Sequence, residues 1–198
     1  MDIKILNRWE TKNIEVSDIA LKPYINISPI IMPRTGGRGA NNRLWAYKPS
    51  IVERLMNKMM TTGHKGKKHR FSSGHNTGKA ARVFKAVEKC LEIIEKQLNK
   101  NPIEVLVKAV ENAAPREEIT TIEYGGARYP QAVEVSPQRR IDIALRQITQ
   151  GSYQKSFNSK VKIEKALADE LIKAFNMDQG SQAISKKLEL ERQADASR

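Results

Sequence analysis

Between Pro115 and Pro137 the spacing of apolar residues changes from the helical period to a period of about two. Residues 119–124 and 129–135 are rich in β-branched and aromatic side chains, and they flank the turn-forming stretch 125–128. This pattern is typical of a β-hairpin. Because two strands alone are only marginally stable in water, the hairpin must lean on helices or on a partner. The hydrophobic core therefore has to come from the rest of the chain.

Amphipathic spacing in the rest of the chain predicts about six helices. Their apolar stripes run over residues 51–60, 83–98, 103–110, 141–148, 163–175 and about 181–194. Capping residues precede three of them, at 76–77, 101–102 and 136–137, and Gly63, Pro115 and Gly151 are the predicted stops. We therefore expect a mainly α fold, a bundle of about six helices with a protruding two-stranded β-hairpin arm at about 117–136.

The first 47 residues have a different character from the body at 48–198. Their periodicity is weak, and they contain Pro23, Pro29, Pro33 and the glycine- and arginine-containing stretch 34–43. Prolines and glycines interrupt any long helix or strand. We expect residues 1–47 to be an extended basic N-terminal arm that orders on its partner, attached to a helical domain at 48–198.

The net charge of +13 is concentrated in one part of the chain. Residues 19–87 hold fourteen lysines and arginines against a single acid, Glu53, while the remaining 129 residues are neutral in sum. Arg116, Arg128, Arg139 and Arg140 form a second positive region around the hairpin. A localised basic block on an otherwise neutral chain predicts a polyanionic partner.

Several other classes of function are disfavoured by composition. No apolar run is long enough to span a membrane, the first residues do not resemble a secretory signal, and the single cysteine, Cys90, excludes internal disulfides. These features predict a cytoplasmic protein. His64, His69 and His75 lie among lysines and arginines rather than among metal ligands, so we expect no metal site and no cofactor.

The stretch 74–79 has some features of a phosphate-binding loop but lacks the spacing and the Ser or Thr of a Walker motif. A milder interpretation is that Gly78 and Lys79 open a helix whose free N–H groups, with Lys79 and Arg82, attract a phosphate of a nucleic-acid backbone. We find no nucleophile motif and expect no enzyme activity. An RNA-processing enzyme that uses His69 is the alternative in that class.

Three segments together resemble a known family. Residues 48–68, 101–116 and above all 125–140 look like the universal small-subunit ribosomal protein seven, and they occur in the order of that family. The resemblance covers residue 48 to the C-terminus. Bacterial members carry an Arg-Trp pair where this chain has Arg146-Gln147. The 47-residue leader and the ending at 189–198 look like the archaeal and eukaryotic branch, and the short chain favours an archaeal-type member.

The resemblance implies a structural protein that binds small-subunit ribosomal RNA directly and nucleates assembly of the head domain. It also implies a place at the subunit interface, beside neighbouring ribosomal proteins and near the exit-site tRNA and the messenger RNA. By the resemblance, RNA contacts are expected from Lys58, Lys65, Lys67, Lys68, Arg70, Arg116, Arg128, Arg139 and Arg140. By charge alone, they are expected from Arg34, Arg38, Arg43, Lys79 and Arg82. A DNA-binding architectural or regulatory protein is the alternative that the residues themselves leave open.

Overall fold

The computed structural model describes residues 3–39, 41–62 and 76–198, and within these ranges it contains six α-helices and one two-stranded antiparallel sheet. The elements are α1 (Ile51–Met60), α2 (Ala80–Leu98), α3 (Pro102–Ala113), β1 (Glu117–Tyr124), β2 (Ala127–Glu134), α4 (Pro137–Ser156), α5 (Ile163–Phe175) and α6 (Gln182–Asp195). The predicted mainly α bundle with a β-hairpin is confirmed. No helix in the described ranges is long and apolar enough to cross a membrane.

Side-chain caps open α1 and α3, and of these only Asn101 is a predicted cap; at the predicted Ser136 the side chain makes no capping hydrogen bond. The Ser50 hydroxyl accepts a hydrogen bond from the Glu53 N–H (3.3 Å) at the start of α1, and Asn101 accepts one from the Ile103 N–H (3.1 Å) at the start of α3. The prediction for α2 was wrong, because the helix begins at Ala80 and Asn76 and Thr77 do not cap it. Gly78, with φ of +75°, turns the chain between those residues and the helix.

The helices share one hydrophobic core, with α5 packed against α2, α3 and α4. The stripes predicted from the sequence are its inner surface, and Leu91, Leu106, Leu145 and Leu167 are completely buried. Because all the helices contribute to this one core, it fixes the directions in which the loops and the hairpin leave the body.

Gly151 does not end a helix, as the sequence predicted, but lies inside α4, which continues to Ser156. The reason for glycine is packing. A Cβ at this position would lie 3.1 Å from the Gln182 Cβ and from the carboxyl carbon of Glu170. Glu170 is itself fully buried and accepts hydrogen bonds from the Ser181 hydroxyl (2.8 Å) and the Gln182 N–H (2.6 Å). Gly151 thus lets α4 approach the carboxylate that caps α6.

The hairpin is closed by Gly125 and Gly126, whose φ angles of +58° and +82° are what the two central positions of a type I′ turn require. Its foot is half-buried, whereas residues 120–131 are exposed on both faces of the ribbon. Helix α6 and the residues after it brace the foot, because Glu191 accepts a hydrogen bond from the Arg116 N–H (3.1 Å) and Arg198 pairs with Glu117. The outer half of the arm therefore receives no support from the core.

Residues 3–27 of the N-terminal leader pack against the body, whereas the sequence predicted an extended segment. Ile5, Trp9, Leu21 and Ile25 are buried in the same core as the helices. The sequence predicted an extended segment that orders on its partner. The difference arises because these few apolar side chains, which form no sustained stripe, still find an apolar surface on the body. The boundary at residue 47 stays a prediction.

We expect Ile5→Ala to lower the free energy of unfolding by about 2–5 kcal/mol, because Ile5 is fully buried although it lies in the leader. Ile3→Ala is the matched control, since that side chain is 56% exposed two residues away and should change stability by no more than about 0.5 kcal/mol. Urea unfolding followed by circular dichroism measures both. Equal stabilities of the two variants would contradict docking of the leader into the core.

We expect Gly151→Ala to destabilise the protein by about 1–3 kcal/mol, because the added methyl group crowds Glu170 and Gln182. The sign is informative, since alanine is intrinsically favoured over glycine in a helix by about 1 kcal/mol. Gln154→Ala, on an exposed position of α4, serves as the control. A variant more stable than the parent in thermal unfolding would show that α4 does not approach Glu170 closely.

Candidate nucleic-acid interface

The surface formed by residues 19–87 is strongly positive where the structure describes it. Seven of its described bases have exposed side chains: Lys22, Arg34, Arg38, Lys48, Lys79, Arg82 and Lys85. In the described part of the chain, no carboxylate forms an ion pair with Arg34, Arg38, Lys79 or Arg82. These cations therefore keep their full attraction for an anionic partner.

Glu53, the one acid of this region, does not reach the surface. It is only 4% exposed, and its Oε1 accepts hydrogen bonds from the backbone N–H (2.8 Å) and the hydroxyl (2.7 Å) of Thr35. The carboxylate therefore anchors the leader loop that carries Arg34 and Arg38 onto α1. Glu53 therefore supports the loop that carries Arg34 and Arg38 instead of standing among the exposed cations.

That loop and the short 3₁₀ turn Arg43–Tyr47 enclose a cleft beside the start of α1. Its cavity has a volume of about 480 Å³ and is lined by Arg34, Thr35, Arg38, Gly39, Trp45, Lys48 and Pro49. A second cavity of about 380 Å³ shares Thr35, Gly39, Trp45 and Pro49 with it. The Lys48 ammonium lies 3.7 Å from the centre of the Trp45 ring, and Trp45 as a residue is 40% exposed.

The start of α2 has the features expected of a helix end that attracts a phosphate of a nucleic-acid backbone. Lys79 occupies the N-cap position, no side chain caps the helix, and Lys79 and Arg82 are both exposed. Free N–H groups and the helix dipole favour an anion at such an end. Binding of a phosphate here stays a prediction.

The arginines around the hairpin occupy three different environments. Arg116 and Arg128 are exposed, and Arg128, in the strand position paired with Glu123, lies 3.5 Å from that carboxylate. Arg139 makes two hydrogen bonds to Glu118, at 2.6 and 2.9 Å. The hydrogen bond to Glu118 raises the pKa of Arg139, although its side chain is more than half exposed. Arg139 can therefore contact an anion while its orientation is set by β1.

Arg140 is turned into the protein instead of toward solvent. It is 7% exposed, its Nη2 donates to Asp18 Oδ2 (2.8 Å), and its Nε donates to the Pro115 carbonyl (3.1 Å). This guanidinium joins the leader, the end of α3 and the start of α4. A sequence signal existed, because Arg140 lies four and eight residues before Ala144 and Ile148, on the buried stripe of α4.

The remaining predicted contact residues are Lys58, Arg43 and four residues of the first basic loop. Lys58 is half-buried, with its Nζ 3.6 Å from Asp142 Oδ1. Lys65, Lys67, Lys68 and Arg70 lie outside the residues that the structure describes. The side chain of Arg43 also lies outside them. Trp45 and Lys48 were not predicted from the sequence, since a lone aromatic in a segment without periodicity carries no signal by itself.

The described residues offer no alternative centre for metal or thiol chemistry. Among them, no group of three or more His, Cys, Asp or Glu side chains could hold a metal ion, and the three histidines lie outside that part of the chain. Cys90 is fully buried in α2, and its burial raises the pKa of the thiol. A thiol that remains protonated in a core is a packing residue rather than a nucleophile.

We expect Asp18→Asn to lower the free energy of unfolding at pH 7 by about 1–3 kcal/mol, because it leaves the buried Arg140 without its carboxylate. Burial opposes ionisation of Asp18, but hydrogen bonds from Arg140 and from backbone N–H groups outweigh it and hold the pKa below its usual 3.8. A lowered pKa means that this stabilisation is present above the ordinary value and is lost as the pH falls through the lower, folded-state pKa.

The difference in free energy of unfolding between the parent protein and Asp18→Asn should therefore shrink below about pH 4. Urea unfolding across a pH series measures this difference. Glu104→Gln, at an exposed position of α3, is the control for loss of one carboxylate. A difference that stays constant down to pH 2 would contradict the ion pair.

Comparison with known proteins shows which family the chain belongs to. Residues 24–198 match the family described as ribosomal protein S7p/S5e, so the match begins within the leader and includes the cleft around Trp45. The chain is also 48% identical, over all 198 residues of both proteins, to the small ribosomal subunit protein uS7 of Nanoarchaeum equitans (strain Kin4-M). The chain therefore belongs to the ribosomal protein S7p/S5e family.

Proposed function

We propose that the protein is a structural component of the small ribosomal subunit, which binds ribosomal RNA of the head domain directly and nucleates assembly of that domain. The observation that carries this proposal is membership of a ribosomal protein family along nearly the whole chain. The resemblance of residues 125–140, at the hairpin, supports the same assignment.

The surface of the protein fits a partner that is recognised by shape and charge. Double-helical RNA hides its base edges in a deep, narrow groove, so a protein binds it through phosphates, 2′-hydroxyls and the geometry of its junctions. Here a rigid helical body carries exposed, unpaired arginines and lysines at fixed positions, and release of counterions from the RNA supplies much of the affinity. The body acts as a template for the fold of an RNA junction.

The hairpin arm has a second task in this proposal. Its outer half is exposed on both faces, with Tyr124 82% and Tyr129 58% exposed near Arg128. Such a ribbon gains its stability from a partner surface. We assign it to the side of the head that faces the exit-site tRNA and the messenger RNA, with neighbouring ribosomal proteins around it.

The proposed RNA contacts follow from charge, and seven of them have exposed side chains: Arg34, Arg38, Lys79, Arg82, Arg116, Arg128 and Arg139. The full set is Arg34, Arg38, Arg43, Lys58, Lys65, Lys67, Lys68, Arg70, Lys79, Arg82, Arg116, Arg128 and Arg139. Arg140 also belongs to the predicted set, and its burial against Asp18 supports a role in holding the leader and the foot of the hairpin together. We propose no catalytic activity and no cofactor for this protein, and a location on cytoplasmic ribosomes.

The DNA-binding alternative is not favoured, because binding of ribosomal RNA by a ribosomal protein already explains the basic surface. The two functions make different predictions about nucleic-acid preference.

We expect the protein to bind a transcript of the small-subunit head domain with an affinity that falls steeply with salt. About eight phosphate contacts would give a slope of roughly −6 to −7 for log K against log salt concentration. Filter binding across a salt series measures this slope. Random duplex DNA of equal length is the control. Equal affinity for this DNA and for the transcript at physiological salt would contradict the proposal.

Arg128→Ala is expected to lower the occupancy of the small subunit by exit-site tRNA without changing the stability of the fold. The reason is that Arg128 is exposed at the end of the hairpin. Stability should stay within about 0.5 kcal/mol of the parent. Lys165→Ala removes the same charge from an exposed position of α5 and is the matched control. The readout is occupancy of reconstituted small subunits by exit-site tRNA, and equal occupancy with both variants would exclude a role for the ribbon tip.

A further inference from the structure

The cleft around Trp45 has features that phosphate binding alone does not explain. An indole is exposed among Arg34, Arg38 and Lys48, in a cavity whose volume of about 480 Å³ lies within the ~300–1,000 Å³ of small-ligand sites. Burial of a large aromatic side chain is normally favourable, so a tryptophan left 40% exposed marks a candidate contact surface.

The walls of the cleft are held in place by contacts to the body. Glu53 binds the backbone of Thr35, and Asn26 donates its amide to the Lys48 carbonyl, so both sides of the cleft are tied down. The Ile51 N–H donates to the Asn26 carbonyl (2.9 Å), which joins the same segment to the start of α1. A site that is fixed before binding loses less conformational entropy when it is occupied.

The chemistry of the cleft favours one kind of occupant. Arginines and lysines beside an exposed aromatic ring match a chain of phosphates that carries flat, polarisable rings, and this is single-stranded nucleic acid. Trp45 lines both cavities, whereas Lys48 lines only the first of them. The second cavity therefore offers space beside Trp45 that Lys48 does not line.

We propose that this cleft binds an unpaired RNA nucleotide, whose base stacks on Trp45 while Arg34 and Arg38 contact the adjoining phosphates. The proposal deepens and rests on the proposed function, because it adds a single-stranded contact to recognition of double-helical RNA. Trp45 supplies affinity for an unstacked base of any identity, since every base has a flat face. The arginines supply the charge-dependent part of the binding.

The experiment uses the full chain with an adenylate dodecamer and, as a comparator, an abasic ribose-phosphate chain of the same length. Stacking should lower the fluorescence of Trp45 with the adenylate but not with the abasic chain. The Trp45→Phe protein retains only Trp9, which is 4% exposed and donates to Glu95 (3.0 Å), and its emission should not change. Unchanged emission of the parent protein at saturation would overturn the proposal.

Binding constants give the second readout. Trp45→Ala and Trp45→Leu should weaken adenylate binding roughly 5- to 150-fold with an unchanged salt slope, while Trp45→Phe stays near the parent. Replacing both Arg34 and Arg38 by glutamine should instead reduce the magnitude of the slope by about 1.4. Trp45→Leu keeps the apolar bulk and carries the test if the alanine variant does not fold.

Phe157→Ala is the matched control, because Phe157 is a 38% exposed aromatic at the end of α4, distant in sequence from the cleft. It should leave adenylate binding unchanged. Equal affinities of the parent protein and of Trp45→Leu would overturn the inference, as would tighter binding of polyglutamate, which offers charge without bases.

The two proposals fail in different ways. If the head-domain transcript does not bind but adenylate quenching depends on Trp45, the proposed function fails and the nucleotide site stands. If the transcript binds and the Trp45 variants bind adenylate as the parent does, the nucleotide site fails and the proposed function stands.

Discussion

The structure depends on the way buried polar side chains of the helical body hold a leader that has almost no regular secondary structure. Buried backbone groups need hydrogen-bond partners, and turns within the leader satisfy only part of them. The body provides them: Glu111 accepts from the Ser17 N–H (2.6 Å), Asn101 donates to the Glu10 carbonyl (2.7 Å), and Arg54 donates to the Tyr24 carbonyl (3.0 Å). Burial of apolar leader side chains then makes this segment part of the core.

This docking also determines the surface that the protein offers to RNA. Glu53 is removed from solvent by the Thr35 loop, and Asp18 is engaged by Arg140, so two carboxylates near exposed bases are occupied internally. The remaining cations are displayed on a rigid support, which limits the entropy lost on binding. The same loop shapes the cleft around Trp45. Stability and RNA recognition are thus produced by one set of contacts between leader and body.

Prediction from the sequence succeeded where a signal is local and repeated. Apolar stripes located the helices, and alternation with a glycine turn located the hairpin, because both patterns are properties of neighbouring residues. It failed at Gly151, where a glycine that resembles a helix stop instead makes room for Glu170 of another helix. For the site, Arg139 and Arg140 are adjacent and chemically identical, yet only Arg139 reaches solvent. Their difference lies in the orientation of α4 against the leader.

The sequence by itself determined the mainly helical class, the single hairpin and the polyanionic nature of the partner, since these follow from residue spacing and from the placement of charge. The tertiary structure decided the route of residues 3–27, the burial of Arg140 and the exposure of Trp45. Those features arise from contacts such as Arg140 with Asp18, 122 positions apart in the chain. No local pattern records such a pairing, because it exists only once the helices have packed and brought the two side chains together.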